Sequence, residues 1–214
     1  MVKLIQAIQE DDVPRVESIL QKMLEKEPSN TELWLKLCLT ELRFPFEDYN
    51  SALKCIEKIY EIDPNHIEAL IIEGGIHRHS FGFVDQKLFK KLDAIQLDDK
   101  ATMAIIYYLK SFYYYKDEER KQRKEMLEKS VELNDTFVYP YKNLGFIFEK
   151  EGNREKAREM MQCAIKNVKK VYQDNDFYDF TDSNVYIAEF LTGTAISSLN
   201  YEELLEKEKE YSSI

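Results

Sequence analysis

The segment from Tyr141 to Lys169 constrains the fold more than any other part of the chain. Tyr141, Leu144, Gly145 and Phe148 stand at i, i+3, i+4 and i+7, one face of a helix. Gly152 marks a turn, and Ala157, Met161 and Ala164 form the apolar stripe of a second helix. The small residues in both stripes fit two helix axes that approach within roughly 8–10 Å, where no bulky side chain has room.

The pattern recurs along the chain. Trp34, Leu37 and Cys38 match the first helix, and Ala52, Ile56, Ile59 and Pro64 match the second. Between them Arg43 to Asp48 adds a short insertion whose Pro45 breaks any continuous helix. A third copy begins near Ile67, with Leu70, Gly74 and His77 on its first helix and Ala94 closing its second. A fourth begins near Thr102, with Ile105, Tyr108, Leu109 and Phe112, then Leu127 and Ser130. The phrases ending at Pro64, Asp99 and Asp135 recur at roughly 35-residue intervals, a period typical of helix-pair arrays. Val2 to Gln9 predicts a shortened first helix, Asp11 and Asp12 a turn, and Pro14 the first turn of a helix to Lys26.

This pattern resembles the tetratricopeptide repeat over roughly residues 1–170: a truncated first repeat, then about four repeats. The resemblance implies an all-α, right-handed superhelical solenoid of antiparallel helix pairs, closed by C-terminal capping helices. Repeat continuity argues for one array. Residues 171–214 depart from the pattern. Asp174 to Asp182 is an acidic-aromatic loop, Ser183 or Asn184 caps a helix to about Ser198, and Asn200 with Glu203 opens the last helix. Two jobs fit this region: sealing the open apolar end of the array, which is the favoured one, or folding back near the groove.

Composition narrows the function. Thirty Lys and Arg against 40 Asp and Glu give a net charge of −10, which disfavours nucleic acid as a partner. No apolar run is long enough to span a membrane, and the N-terminal residues lack a signal-peptide core. The three scattered cysteines, Cys38, Cys55 and Cys163, form no disulfide or zinc pattern and read as packing residues of a cytoplasmic protein. Gly74-Gly75 lacks the residues of a phosphate loop, and His77 and His79 point apart on a helix. The expectation is a protein without catalytic residues, cofactor or metal.

The resemblance further implies that the first helix of each pair faces a concave groove that grips a polypeptide. It nominates Leu35, Leu39, Leu42 and Arg43; Ile71 and Arg78; Met103, Ile106 and Lys110; Tyr113 and Tyr114; Lys142 and Phe146. The Lys and Asn set by which some such repeats clamp acidic chaperone tails is missing, since Leu35, Leu39, Ile72, Met103 and Tyr107 occupy the slots. The expected function is a non-catalytic adaptor binding a protein or peptide. Two alternatives remain: a small acidic inhibitor or immunity-type protein facing a basic toxin or nuclease, and a secretion-type chaperone.

Overall fold

The computed structural model of the chain describes residues 2–43, 45–171, 179–192, 205–206 and 209–210. It contains α1 (Val2–Gln9), α2 (Val13–Leu24), α3 (Thr31–Glu41), α4 (Tyr49–Ile62) and α5 (Ile67–Ile76). A π turn, His77–Phe81, follows; then come α6 (Gln86–Ala94), α7 (Lys100–Lys110) and a single 3-10 turn, Asp117–Glu119. The chain continues through α8 (Arg120–Leu133), α9 (Val138–Lys150), α10 (Arg154–Val171) and α11 (Ser183–Thr192). No strand occurs among the described residues. The fold is all-α, as the pattern predicts.

Side-chain caps start most of these helices. Asp12, Asn30, Asp48, Asp85 and Asp99 accept hydrogen bonds from the backbone N–H groups two or three residues on, and Asn153 does the same for Lys156. Each cap satisfies a donor that the helix leaves orphaned, a contribution of about 1 kcal/mol. Pro14 enters α2 in its first turn. Gly152, at φ +75°, takes the left-handed conformation after α9, and the N–H of Asn153 returns to Phe148 O at 2.9 Å. At Asp182 the structure moves the expected cap by one residue: α11 starts at Ser183, and the Asp182 carboxylate receives the Asn184 N–H at 2.8 Å. The proposed extension of that helix towards Ser198 and the start at Asn200 lie outside the described residues, as do Asp174 to Tyr178.

The described chain forms two compact units. The first comprises α1 to α5 together with residues 179–187; the second begins at His77 and includes α6 to α10. Repeat continuity alone does not reveal this division, which falls inside the third helix pair. There the hydrogen bonding of α5 gives way to the π turn, and Gly82, at φ +73°, donates its N–H back to His77 O at 3.1 Å.

Within the first unit, α1 packs on α2, α2 on α3, and α3 on α4. The small slots Cys38 and Ala52 are fully buried, as are Leu20, Ile56 and Ile59 around them. The large-residue slot differs from expectation. Trp34 is only part-buried, leaning on the core while its indole N–H donates to Pro28 O at 2.9 Å. That bond keeps one ring edge at the rim, so the ring does not fill the interior. Tyr141, in the same slot of the second unit, is also part-exposed.

Within the second unit, α7 packs on α8, α8 on α9, and α9 on α10. Gly145 faces Met161: a Cβ added there would lie 2.6 Å from the Met161 terminal methyl. Ala157 and Ala164 are fully buried. Ser130 takes the place of a small apolar residue by donating its hydroxyl to Ala104 O at 2.7 Å, which joins α8 to α7. Ala94, expected to close a helix pair, is exposed; Leu88 and Leu92 supply the buried face of the short α6.

Burial also acts on charge. Glu41, at the end of α3, has its carboxyl pushed up to about 7 by burial and by the neighbouring Glu17 and Asp48. Burial pushes the Cys55 thiol up to about 12 and holds the Cys38 thiol well above its ordinary value. Both sulfurs remain protonated packing groups.

Two tests follow from these contacts. Gly145→Leu should lose about 2 kcal/mol by overpacking, whereas Gly145→Ala should stay within about 1 kcal/mol, because the flexible end of Met161 can yield. Trp34→Ala should cost about 2 kcal/mol, less than a fully buried Trp. Denaturation followed by circular dichroism measures all three, and equal costs for the two Gly145 variants would refute the close contact. The second test is Glu41→Gln. A carboxyl raised in the folded state binds its proton more tightly there than in the unfolded chain. Its stability contribution therefore falls as pH rises from about 4.5 to 7. The Gln variant should melt above the parent protein at pH 8 and converge with it near pH 4; a constant difference would contradict the burial argument.

Candidate functional site

The nominated positions fall into two different situations. In the first unit, Leu35 and Leu39 are 6% and 3% exposed, and Ile71 is fully buried. Leu42 is part-buried against the same core. Leu35, Leu39 and Ile71 are interior, not an open face. Leu35 and Leu39 share their core with a chain segment that local periodicity does not assign: Phe180, only 8% exposed, belongs to it, and Tyr186 packs against it. Arg43 stands with its guanidinium 5.1 Å from the centre of the Phe180 ring. Its other face is held by Asp11, through Nε to Oδ1 at 3.1 Å and a second nitrogen to Oδ2 at 3.2 Å. Arg43 is thus committed within the unit. Residues 179–187 of the C-terminal segment thus belong to this unit.

In the second unit, Ile106 is buried at 1% exposure, but Met103, Tyr113, Tyr114, Lys142 and Phe146 are part-exposed. Lys110 is almost fully buried and pairs with Asp93 at 2.5 Å, close to the rings of Tyr107 and Phe89. Phe89, on α6, gathers the nominated tyrosines: Tyr113 stacks on it at 4.2 Å, and Tyr114 meets it edge-on at 5.7 Å. Burial, then the charge of Asp93, raises the Tyr114 hydroxyl above its ordinary value, so it stays a neutral donor. Lys142 and Phe146 lie one helical turn apart on α9, with the ammonium 5.8 Å from the ring centre.

Arg78, on the π turn, has its guanidinium 4.8 Å from the Tyr139 ring centre and donates to the Tyr108 hydroxyl at 3.3 Å. Tyr108 and Tyr139 are themselves stacked at 5.9 Å. The nominated Arg78 therefore serves an aromatic cluster built from α7 and α9. Near it, Arg123 sits 5.4 Å over Phe112; burial lowers its guanidinium below its ordinary value, although arginine still carries its charge at neutral pH.

A shallow cleft opens beside these residues. The turn Tyr115–Asp117, the start of α8 and one face of α9 line it, with Arg120, Arg123, Asn143 and Lys150 among its polar groups. Asp117 bonds Arg120 at 2.8 Å, and these cations hold its carboxyl below the usual range. Phe146 is the one nominated residue in this lining. The signal that could have found the rest was the spacing of Asn143, Phe146, Ile147 and Lys150 on a single helix face, together with a turn rich in charge.

His77 and His79 make no chelating pair: His77 stands edge-on to Phe81 at 5.2 Å, and His79 is exposed. Among the described residues no group of three His, Cys, Asp or Glu is placed to hold a metal ion, and no helix is long and apolar enough to cross a membrane.

No family model matches the chain, and no curated protein matches it. Solved structures do. The crystal structure of MamA is similar at TM-score 0.61 and 24% identity, covering 77% of this chain and 94% of that one. PilW, a widely conserved type IV pilus biogenesis factor, is similar at TM-score 0.63 and 16% identity, covering 97% and 91%. A thermophilic TPR protein of Thermus thermophilus is similar at TM-score 0.55 and 15% identity, covering 88% and 95%. At these identities the likeness establishes the tetratricopeptide-repeat fold.

If Phe180 belongs to the first unit, its loss should be felt there. Trp34, the single tryptophan, lies in that unit and reports its unfolding by fluorescence. Phe180→Ala should lower its stability by about 3 kcal/mol. An unchanged denaturation midpoint for Trp34 would show that the segment does not support this core.

Proposed function

We propose that this chain, which has the tetratricopeptide-repeat fold, is a non-catalytic interaction module that holds a partner polypeptide on the first-helix faces of its second unit. One observation carries the reading. In the first unit Leu35 and Leu39 are interior, whereas in the second Met103 on α7, Lys142 and Phe146 on α9, and Tyr113 and Tyr114 just past the end of α7 keep part of their surface in solvent. Aromatic rings with a polar end suit such a surface, because they offer large rigid contact area at little entropic cost. The raised thiols of Cys38 and Cys55 support a non-catalytic reading by withholding thiolate nucleophiles.

A photo-crosslinking residue separates this reading from its failure. Placed at Met103 or Lys142, it should capture a polypeptide in extract of the native host. At Lys54, exposed on α4 in the first unit, it should capture little. Equal labelling at all three positions, or none at Met103 and Lys142, would overturn the assignment.

A further inference from the structure

The second unit exposes a ladder of aromatic rings that the nominated face does not include. Phe81 is 53% exposed, Phe83 38% and Tyr115 54%. Their ring centres are 6.4 Å apart for the first pair and 5.3 Å for the second. The ladder is built, not frayed. The π turn carries Phe81, and the left-handed Gly82 redirects the chain. The Val84 N–H then ties the loop to Phe112 O at 3.2 Å, with Val84 itself buried. Exposed rings grouped in this way lose contact with water only when a partner covers them, and contiguous apolar surface of this kind marks interaction sites.

Tyr115 also lines the charged cleft, so ladder and cleft are continuous. The cleft presents Lys116, Arg120, Arg123 and Lys150 against one carboxylate, Asp117. This excess of positive charge stands in a chain of net charge −10, so it is a local feature and not a reflection of composition. Arg123 is part-buried in this lining, with its guanidinium 5.4 Å over the Phe112 ring.

We propose that the ladder and the cleft form one docking surface for an acidic polypeptide segment carrying an aromatic or large aliphatic side chain. Its carboxylates meet Arg120, Arg123 and Lys150, and its apolar residue covers Phe83 and Tyr115. The proposal rests on the interaction-module reading and gives its partner a chemistry. A nucleic acid fits the same surface less well. Its evenly spaced phosphates would run past four cations onto an otherwise acidic chain, where nothing releases their counterions. A short acidic peptide concentrates its charge in the cleft, and screening over about 8 Å at physiological salt hides the remaining negative charge from it.

Fluorescence anisotropy with four labelled probes tests this. The first is an acidic 12-residue peptide containing phenylalanine, and the second has serine in place of that phenylalanine. The third has lysine in place of every acidic residue, and the fourth is an oligouridylate. The acidic aromatic peptide should bind the full-length protein most tightly, and more weakly as salt rises. Arg120→Glu with Lys150→Glu should weaken it roughly tenfold or more, and Tyr115→Ser severalfold. Lys54→Glu with Lys58→Glu, which makes the same charge change on α4, should leave it within about twofold. Circular dichroism confirms that each variant folds, and the milder Tyr115→Ser keeps the test intact if the double variant does not. Tighter binding of the lysine peptide or oligouridylate overturns the inference, as does an affinity indifferent to Arg120, Lys150 and Tyr115. So does the failure of all four probes to bind. In each of these cases the crosslinking at Met103 and Lys142 still decides the broader reading on its own.

Discussion

Everything else in this fold depends on helices that approach too closely for large side chains. At the contact of α9 and α10 the second helix brings a methionine where the first has no Cβ at all, and the gap at Gly145 is filled by the end of Met161. Ala157, Ala164, Cys38 and Ala52 serve the same geometry elsewhere and are completely buried. Two helices so joined bury only one face of each. The remaining apolar stripe must be covered by the next pair, which is why α8 lies on α9 and α2 on α3. Ser130 shows the tolerance of the rule. A hydroxyl is accepted in a small slot because a carbonyl of the facing helix takes its proton at 2.7 Å.

That rule leaves a first-helix face in each unit without a repeat to cover it, and the two units meet the need differently. In the first, a segment distant in sequence supplies Phe180 and Tyr186, and Arg43 is held between Asp11 and the Phe180 ring. A partner would have to displace covalently linked, already ordered chain, whose effective concentration is high. In the second, the equivalent side chains are stiffened by neighbours, as Tyr113 is by Phe89 and Lys142 by Phe146, yet stay partly in solvent. Preorganised rings of that kind lose little freedom on binding. The proposed recognition of a partner therefore rests on side chains of the second unit.

The helices were legible because their signals are local. Glycine, alanine and cysteine at fixed spacing located the close contacts, and α1, α5, α7, α9 and α10 start near the expected residues, although α5 stops before His77 and α7 before Phe112. The repeated Asp and Asn at the turns were visible as a repeat, although their work as caps is a matter of geometry that only coordinates reveal. The candidate site was legible in part. Lys142 and Phe146 were named from helix position, which places a side chain on a face but does not say what lies over it; Tyr113 and Tyr114 were expected late in the same kind of helix, but α7 ends at Lys110 and they follow it in the turn. Leu35 and Leu39 were nominated for a groove and are interior, since nothing in their own helix encodes a core shared with Phe180; Ile71 is interior as well. Phe81 and Phe83 escaped notice because the π turn shifts the register, and periodicity read at 3.6 residues per turn passes over it.

Net charge shows the same limit of a whole-chain quantity. A value of −10 suggests a basic partner only if the partner feels the entire molecule. Across distances beyond about 8 Å at physiological salt it does not, and what counts is the set of groups around the contact. In the lining of the cleft beside α8 and α9 those groups are mostly cations, and Asp117 spends its charge on Arg120 and Lys150. The acidic residues that dominate the composition lie largely on exposed helix faces, as Glu57, Glu61, Glu155 and Glu159 do, where they favour solubility and repel other copies of the chain. Composition thus describes how this protein behaves in solution, while the sign of a partner's charge is set locally, by the few side chains that a turn and two helix faces bring together.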